Sequence, residues 1–138
     1  MIARRTILFA AWGARFCFGQ TAGSELLRGR LIQTGSQPAF QLPDGRATAV
    51  SGDEPTGKIL RDARLGGRTF EATGRLAGPG RFEINPIETR SLVVFEGTRA
   101  RRVTYYCDVC SIRTYSPGPC MCCQAETRLD LIDPAAKE

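Results

Sequence analysis

There is no histidine anywhere in the 138 residues. This removes the commonest general base at neutral pH, the histidine-bearing zinc ligand sets, and the C-x-x-C-H attachment of c-type haem. No apolar run approaches the ~20 residues that a bilayer helix needs. Aromatic residues are sparse at 8%, with a single tryptophan. No nucleophile elbow, phosphate-cradling glycine loop or dinucleotide fingerprint occurs. The carboxylates are scattered, and Asp44, Asp53, Glu71 and Glu83 read as turn or surface residues. These absences point away from an enzyme and toward a binding protein.

What is present is a folded, turn-rich chain. Hydrophobic content is 42%, with fifteen glycines and eight prolines spread along the length. That composition predicts a mainly β structure with many turns. The net charge of +5 invites a nucleic-acid reading. Three of those charges, Arg4, Arg5 and Arg15, fall in a candidate export segment, and without them the balance is +2. Four thiolates around a divalent metal would add about two negative charges, leaving the mature chain near neutrality. A polyanion partner is not implied.

Residues 1–19 carry the layout of an export signal. Met1-Ile2-Ala3-Arg4-Arg5 is basic, Thr6 to Trp12 is apolar, and Cys17-Phe18-Gly19 fits a small-x-small cleavage site. Arg4-Arg5-Thr6-Ile7-Leu8 resembles a twin-arginine signal, which exports proteins already folded. A Sec signal is the other export route, and an N-terminal strand of a cytosolic protein is the alternative. Export to the periplasm is the expectation, with an envelope protein as partner and no transmembrane segment in the mature chain.

The stretch 24–90 alternates as strands do. Leu27, Gly29 and Leu31 oppose Leu26, Arg28, Arg30 and Ile32. Phe40 and Leu42 lead into the turn signal Pro43-Asp44-Gly45-Arg46, and Ala47 to Val50 returns. Asp53-Glu54-Pro55, Ile59-Leu60 and Leu65-Gly66-Gly67 read as a short helix or turn ended by glycine. Phe70, Ala72 and Gly74 form the next strand, Leu76 to Gly80 a loop, and Phe82 and Ile84 the last strand. Three strands, a short helix and two strands is the order of an OB barrel. Leu65-Gly66-Gly67-Arg68-Thr69-Phe70-Glu71-Ala72-Thr73-Gly74-Arg75 resembles the fourth strand of small bacterial OB-fold domains, in which a glycine precedes a strand ending in Gly-Arg. Another antiparallel barrel or sandwich is the alternative. The outward positions of these strands show no aromatic platform for stacking bases. Arg99, Arg101 and Arg102 form the only basic cluster and read as a solvated edge.

The segment 91–133 is a β-hairpin followed by a cysteine-rich knuckle. Ser91 to Phe95 and Arg101 to Tyr105 flank Glu96-Gly97-Thr98, and the second strand runs into Cys107. Five of the six cysteines fall within seventeen residues, Cys107 to Cys123, as C-x2-C, nine residues, then C-x-C-C. Two thiolate pairs on tight turns are what a tetrahedral metal needs.

The run Tyr106, Cys107, Cys110, Cys120, Cys123 resembles zinc ribbons and the rubredoxin-like modules of rubrerythrins. Both have an aromatic before the first C-x2-C and a short loop before the second. The resemblance covers about Tyr105 to Gln124 and implies the metal ligands Cys107, Cys110, Cys120 and Cys123. Ser111 stands where both families usually have glycine. Cys122 competes with Cys123 as the fourth ligand, or serves as an auxiliary one.

Zn2+ is the expected metal, which would make the site structural. Fe would make it a rubredoxin-like electron carrier, and Cu(I) is open given Met121 and the extra thiol. Two other readings of the cysteines are a pair of disulfides with one thiol left over, and a redox-active Cys107–Cys110 dithiol. Besides electron transfer, the remaining functional class is a cytosolic OB-fold nucleic-acid binder.

Overall fold

The computed structural model describes residues 24–136. The 1–19 segment, with Cys17, lies outside them. Strands make up 51% of the described chain and helix 12%. The first five strands are β1 (Glu25–Thr34), β2 (Gln37–Gln41), β3 (Ala47–Ser51), β4 (Thr69–Gly78) and β5 (Arg81–Ile84), with helix α1 (Glu54–Leu60) between β3 and β4. β1, β2 and β3 form an antiparallel meander. β3 pairs in parallel with β5, β5 pairs with β4, and β4 returns to β1. The five strands therefore close a small OB-like barrel.

Alternation explains which face closes inward. Leu31, Phe40, Val50, Phe70, Ala72, Phe82 and Ile84 are all buried, while Arg28, Arg30, Arg75 and Glu83 point to solvent. Phe40 and Phe70 stack with ring centroids 6.0 Å apart. β1 serves two partners, β4 along Glu25 to Arg30 and β2 along Arg30 to Thr34, so it must curl between them. Gly29 sits at that curl, where an added Cβ would lie 2.9 Å from both the Phe40 Cβ and the Gln41 carbonyl oxygen. Gly74 is needed for a similar reason, because a Cβ there would overlap the Glu83 carbonyl of β5.

α1 seals one end of the barrel with Ile59 and Leu60, joined by Leu65 from a 3-10 turn at Ala63–Leu65; all three are fully buried. Asp53 caps the helix: one carboxylate oxygen accepts from the Thr56 amide at 3.0 Å, the other from the Ile87 amide at 3.1 Å. Partial desolvation opposes the Asp53 charge, but these hydrogen bonds outweigh it and hold the carboxyl below its usual range.

The expected loop over Leu76 to Gly80 is mostly strand. β4 continues to Gly78 through an irregular register, and the turn narrows to Pro79-Gly80. The apolar alternation fades there because the end of β4 leaves the core; Leu76 is 62% exposed.

Beyond the barrel, β6 (Leu92–Glu96) and β7 (Arg99–Cys107) form the expected hairpin. β6 pairs with β4 in the register Phe70↔Val94, so one continuous sheet runs from the barrel to Cys107. Two short strands, β8 (Ile112–Thr114) and β9 (Arg128–Ile132), pair with β7 near its end. β9 had a readable signal: Leu129 and Leu131 alternate with charged neighbours and pack against the core. No helix among the described residues is long and apolar enough to cross a membrane.

Candidate metal centre

The two cysteine pairs stand on turns of the same construction. In the first, the Cys110 amide donates to the Cys107 Sγ at 3.4 Å, and the Ser111 amide donates to the Cys107 carbonyl at 2.8 Å. In the second, the Cys122 amide donates to the Cys120 Sγ at 3.4 Å, and the Gln124 amide donates to the Cys120 carbonyl at 2.9 Å. Each turn closes on a residue with left-handed backbone, Ser111 at φ 56° and Gln124 at φ 63°. Glycine adopts that conformation without cost, so serine and glutamine there carry local strain. The second turn is also pinned by the Cys120 amide donating to the Ala125 carbonyl at 2.8 Å and by a bridge between Pro119 and Glu126.

The turns bring four sulfurs together. The Sγ atoms of Cys107, Cys110, Cys120 and Cys123 all lie within 4.8 Å of one another, and those of Cys107 and Cys123 are 3.5 Å apart. Four sulfurs at ~2.3 Å from a tetrahedral metal would be about 3.8 Å apart, so the cluster has the dimensions of a metal cage. A disulfide requires about 2.05 Å, and all five described cysteines are free thiols. Cys107 and Cys120 are buried, Cys110 is half-buried, and Cys123 is exposed. Cys122 is exposed and outside the four.

The thiols do not share one proton affinity. The Cys123 and Cys122 amides favour the Cys120 thiolate and lower its pKa to about 7. At Cys107 the Cys110 amide favours ionisation, but burial and hydrogen bonds with the Cys123 and Cys120 thiols push the pKa up. Cys110 is raised strongly by hydrogen bonds with the Cys122 and Cys123 thiols and by burial. Crowded sulfurs cannot all ionise without a cation among them. A divalent metal would displace those protons, so its affinity falls as pH falls.

Polar contacts fasten the centre to the sheet. Arg128 spans to both carboxylate oxygens of Asp108, inside the first turn, at 3.1 Å. Arg113 on β8 donates to the Asp130 carboxylate and to the Thr104 hydroxyl, each at 2.6 Å, locking β8, β7 and β9 together. The fully buried Tyr105, two residues before Cys107, donates its hydroxyl to Asp62 at 2.8 Å. Asp62 also accepts from Arg64, whose far nitrogen reaches the Thr127 carbonyl at 3.4 Å. Burial opposes the Asp62 charge, but the Arg64 and Tyr105 side chains and the Arg64 amide outweigh it and hold the carboxyl below its usual range. Burial, then the bond to Asp62, pushes the Tyr105 phenol far above its usual range.

Sequence reasoning brought out the cysteines but missed these supports. Tyr106, noted only as the aromatic before Cys107, is covered by Arg113 at 5.1 Å and Arg128 at 5.0 Å. Arg28 lies 4.1 Å over the Phe95 ring, and Arg102 lies 4.4 Å over Tyr115. Within the basic cluster, Arg101 meets Glu96 at 3.4 Å. Compared with protein-family models, with curated proteins and with solved structures, the chain finds no match.

Proposed function

We propose that this is an exported, non-enzymatic binding or scaffold protein whose four-cysteine centre holds a structural zinc ion. The observation that carries the reading is the cluster of four sulfurs within 4.8 Å of one another, on two equivalent turns. Cys107, Cys110, Cys120 and Cys123 would be the ligands, and zinc bound by four thiolates has no open position for a substrate. The barrel would present the binding surface to a protein of the cell envelope. Nucleic acid is disfavoured because the phenylalanines of the barrel strands, Phe40, Phe70 and Phe82, are all buried and leave no ring on its surface for a base to stack on. Export rests on the sequence of residues 1–19 alone.

Elemental analysis and an absorption spectrum of untagged protein from the periplasmic fraction test this reading. It predicts one zinc per chain, no visible absorbance, and an N-terminus beyond residue 19. Iron with thiolate charge-transfer bands would replace it with an electron carrier. Oxidised thiols without metal would replace it with a disulfide module.

A further inference from the structure

The centre has one sulfur more than a tetrahedral ion can use. The four clustered cysteines divide into an inner pair, Cys107 and Cys120, 1% and 2% exposed, and an outer pair, Cys110 and Cys123. The fifth cysteine, Cys122, borders that outer pair. It precedes Cys123 in the chain and is exposed like it. Its thiol is near enough to Cys110 to raise that group's pKa, and its amide donates to the Cys120 Sγ at 3.4 Å. The flanking Met121 is 91% exposed and Cys123 is exposed as well, so solvent reaches this edge of the cluster.

A site that only stabilises a fold gains nothing from a competing thiol at its solvent-facing edge. Zinc has no geometric preference of its own and can expand to five ligands in a transition state, so a neighbouring sulfur can bind before another departs.

We propose that Cys122 is a spare ligand that displaces Cys123, so that the centre can pass its zinc ion to a thiol-bearing acceptor. This deepens the zinc reading above and rests on it. The step is a substitution without redox change. A bond forms from zinc to the Cys122 sulfur, which gives up its proton. The bond to the Cys123 sulfur breaks, and that sulfur takes a proton. Zinc would stay divalent throughout; as it passes on, the acceptor's thiols would give up their protons and the released Cys107, Cys110 and Cys120 sulfurs would take protons in turn.

The test uses the zinc-loaded full chain as wild type, Cys122→Ala and Cys123→Ala. Zinc content is measured first, then the rate of zinc transfer to excess 2,3-dimercaptopropanesulfonate, a dithiol. The expected result is one zinc per chain in all three, with transfer slowed about tenfold or more in both variants, because each has lost the alternative sulfur. Equal transfer rates in wild type and Cys122→Ala, with one zinc in each, would overturn the spare-ligand role and leave the structural centre standing. Loss of zinc in Cys123→Ala would also overturn it, since Cys122 would then have failed to substitute. A wild-type chain that binds no zinc would overturn both readings together.

Discussion

The barrel buries Phe40, Phe70 and Phe82 with Leu31, Val50, Ile59, Leu60 and Leu65 in one apolar cluster. Across residues 108–126, by contrast, the only buried residue is Cys120. The barrel has the ordinary source of stability, apolar surface removed from water. The cysteine segment has turns, ion pairs and guanidinium–ring contacts, most of them solvent-exposed and individually weak. A segment of that size without a core needs a staple, and the sulfur cluster has the dimensions to be one. The difference teaches that the two regions should fail under different insults.

The largest effect expected is from the inner sulfurs. Cys107→Ser or Cys120→Ser should abolish metal binding, removing an interaction of order 10 kcal/mol for structural zinc. The segment between β7 and β9 should lose its ordered NMR resonances while those of the barrel keep their positions. Loss of the barrel signals as well would break the division between the regions.

Phe70→Ala probes the other side. Emptying this fully buried site on β4, where the ring stacks on Phe40, should cost about 3–5 kcal/mol in urea denaturation. Metal content of the folded fraction should stay at the wild-type level.

Tyr105→Phe acts at the joint. It removes one hydrogen bond to the Asp62 carboxylate and should cost about 1–3 kcal/mol. Acid should open the same joint. The Asp62 carboxyl is held below its usual range, so its contribution is present above the ordinary carboxylate value of 3.8 and lost as pH falls through the depressed one. A denaturation series in chelated protein, where the thiols hold no metal, checks this: the wild type should lose stability below that value, and Asp62→Asn should lose less.

The smallest effect sharpens the equivalence of the two turns. Ser111→Gly should relieve left-handed strain and stabilise the metal-loaded segment by at most about 1 kcal/mol, because the glycine gained also loosens the unfolded chain. Gln124→Gly should behave alike. Opposite signs would show that the turns are not the same device.

Much of this was legible in the residues. The period-two alternation of Phe70, Ala72 and Gly74 and the short helix between strands carry the barrel order, because burial on one face leaves a pattern in sequence; the expected glycine stop, Gly66, caps not that helix, which ends at Arg61, but the 3-10 turn after it. The sulfur spacings carry the centre, since tight turns fix which thiols converge. What was not legible depends on contacts distant in the chain. Nothing near Tyr105 announces that its hydroxyl meets Asp62, 43 residues earlier. Nothing near Asp108 announces Arg128. The left-handed backbone at Ser111 was visible only as a serine where the resembling families usually place glycine, and the far end of β4 lost its signal where it left the core.

The central claim is that metal does for the cysteine segment what apolar burial does for the barrel. Amide hydrogen exchange on reduced protein, metal-loaded and then stripped with a chelator, tests it most directly. The account predicts that protection collapses at the Ser111, Cys120 and Gln124 amides, while the amides of Leu31, Phe40, Phe70 and Phe82 keep theirs. Unchanged protection at the two turns after the metal is removed would contradict it.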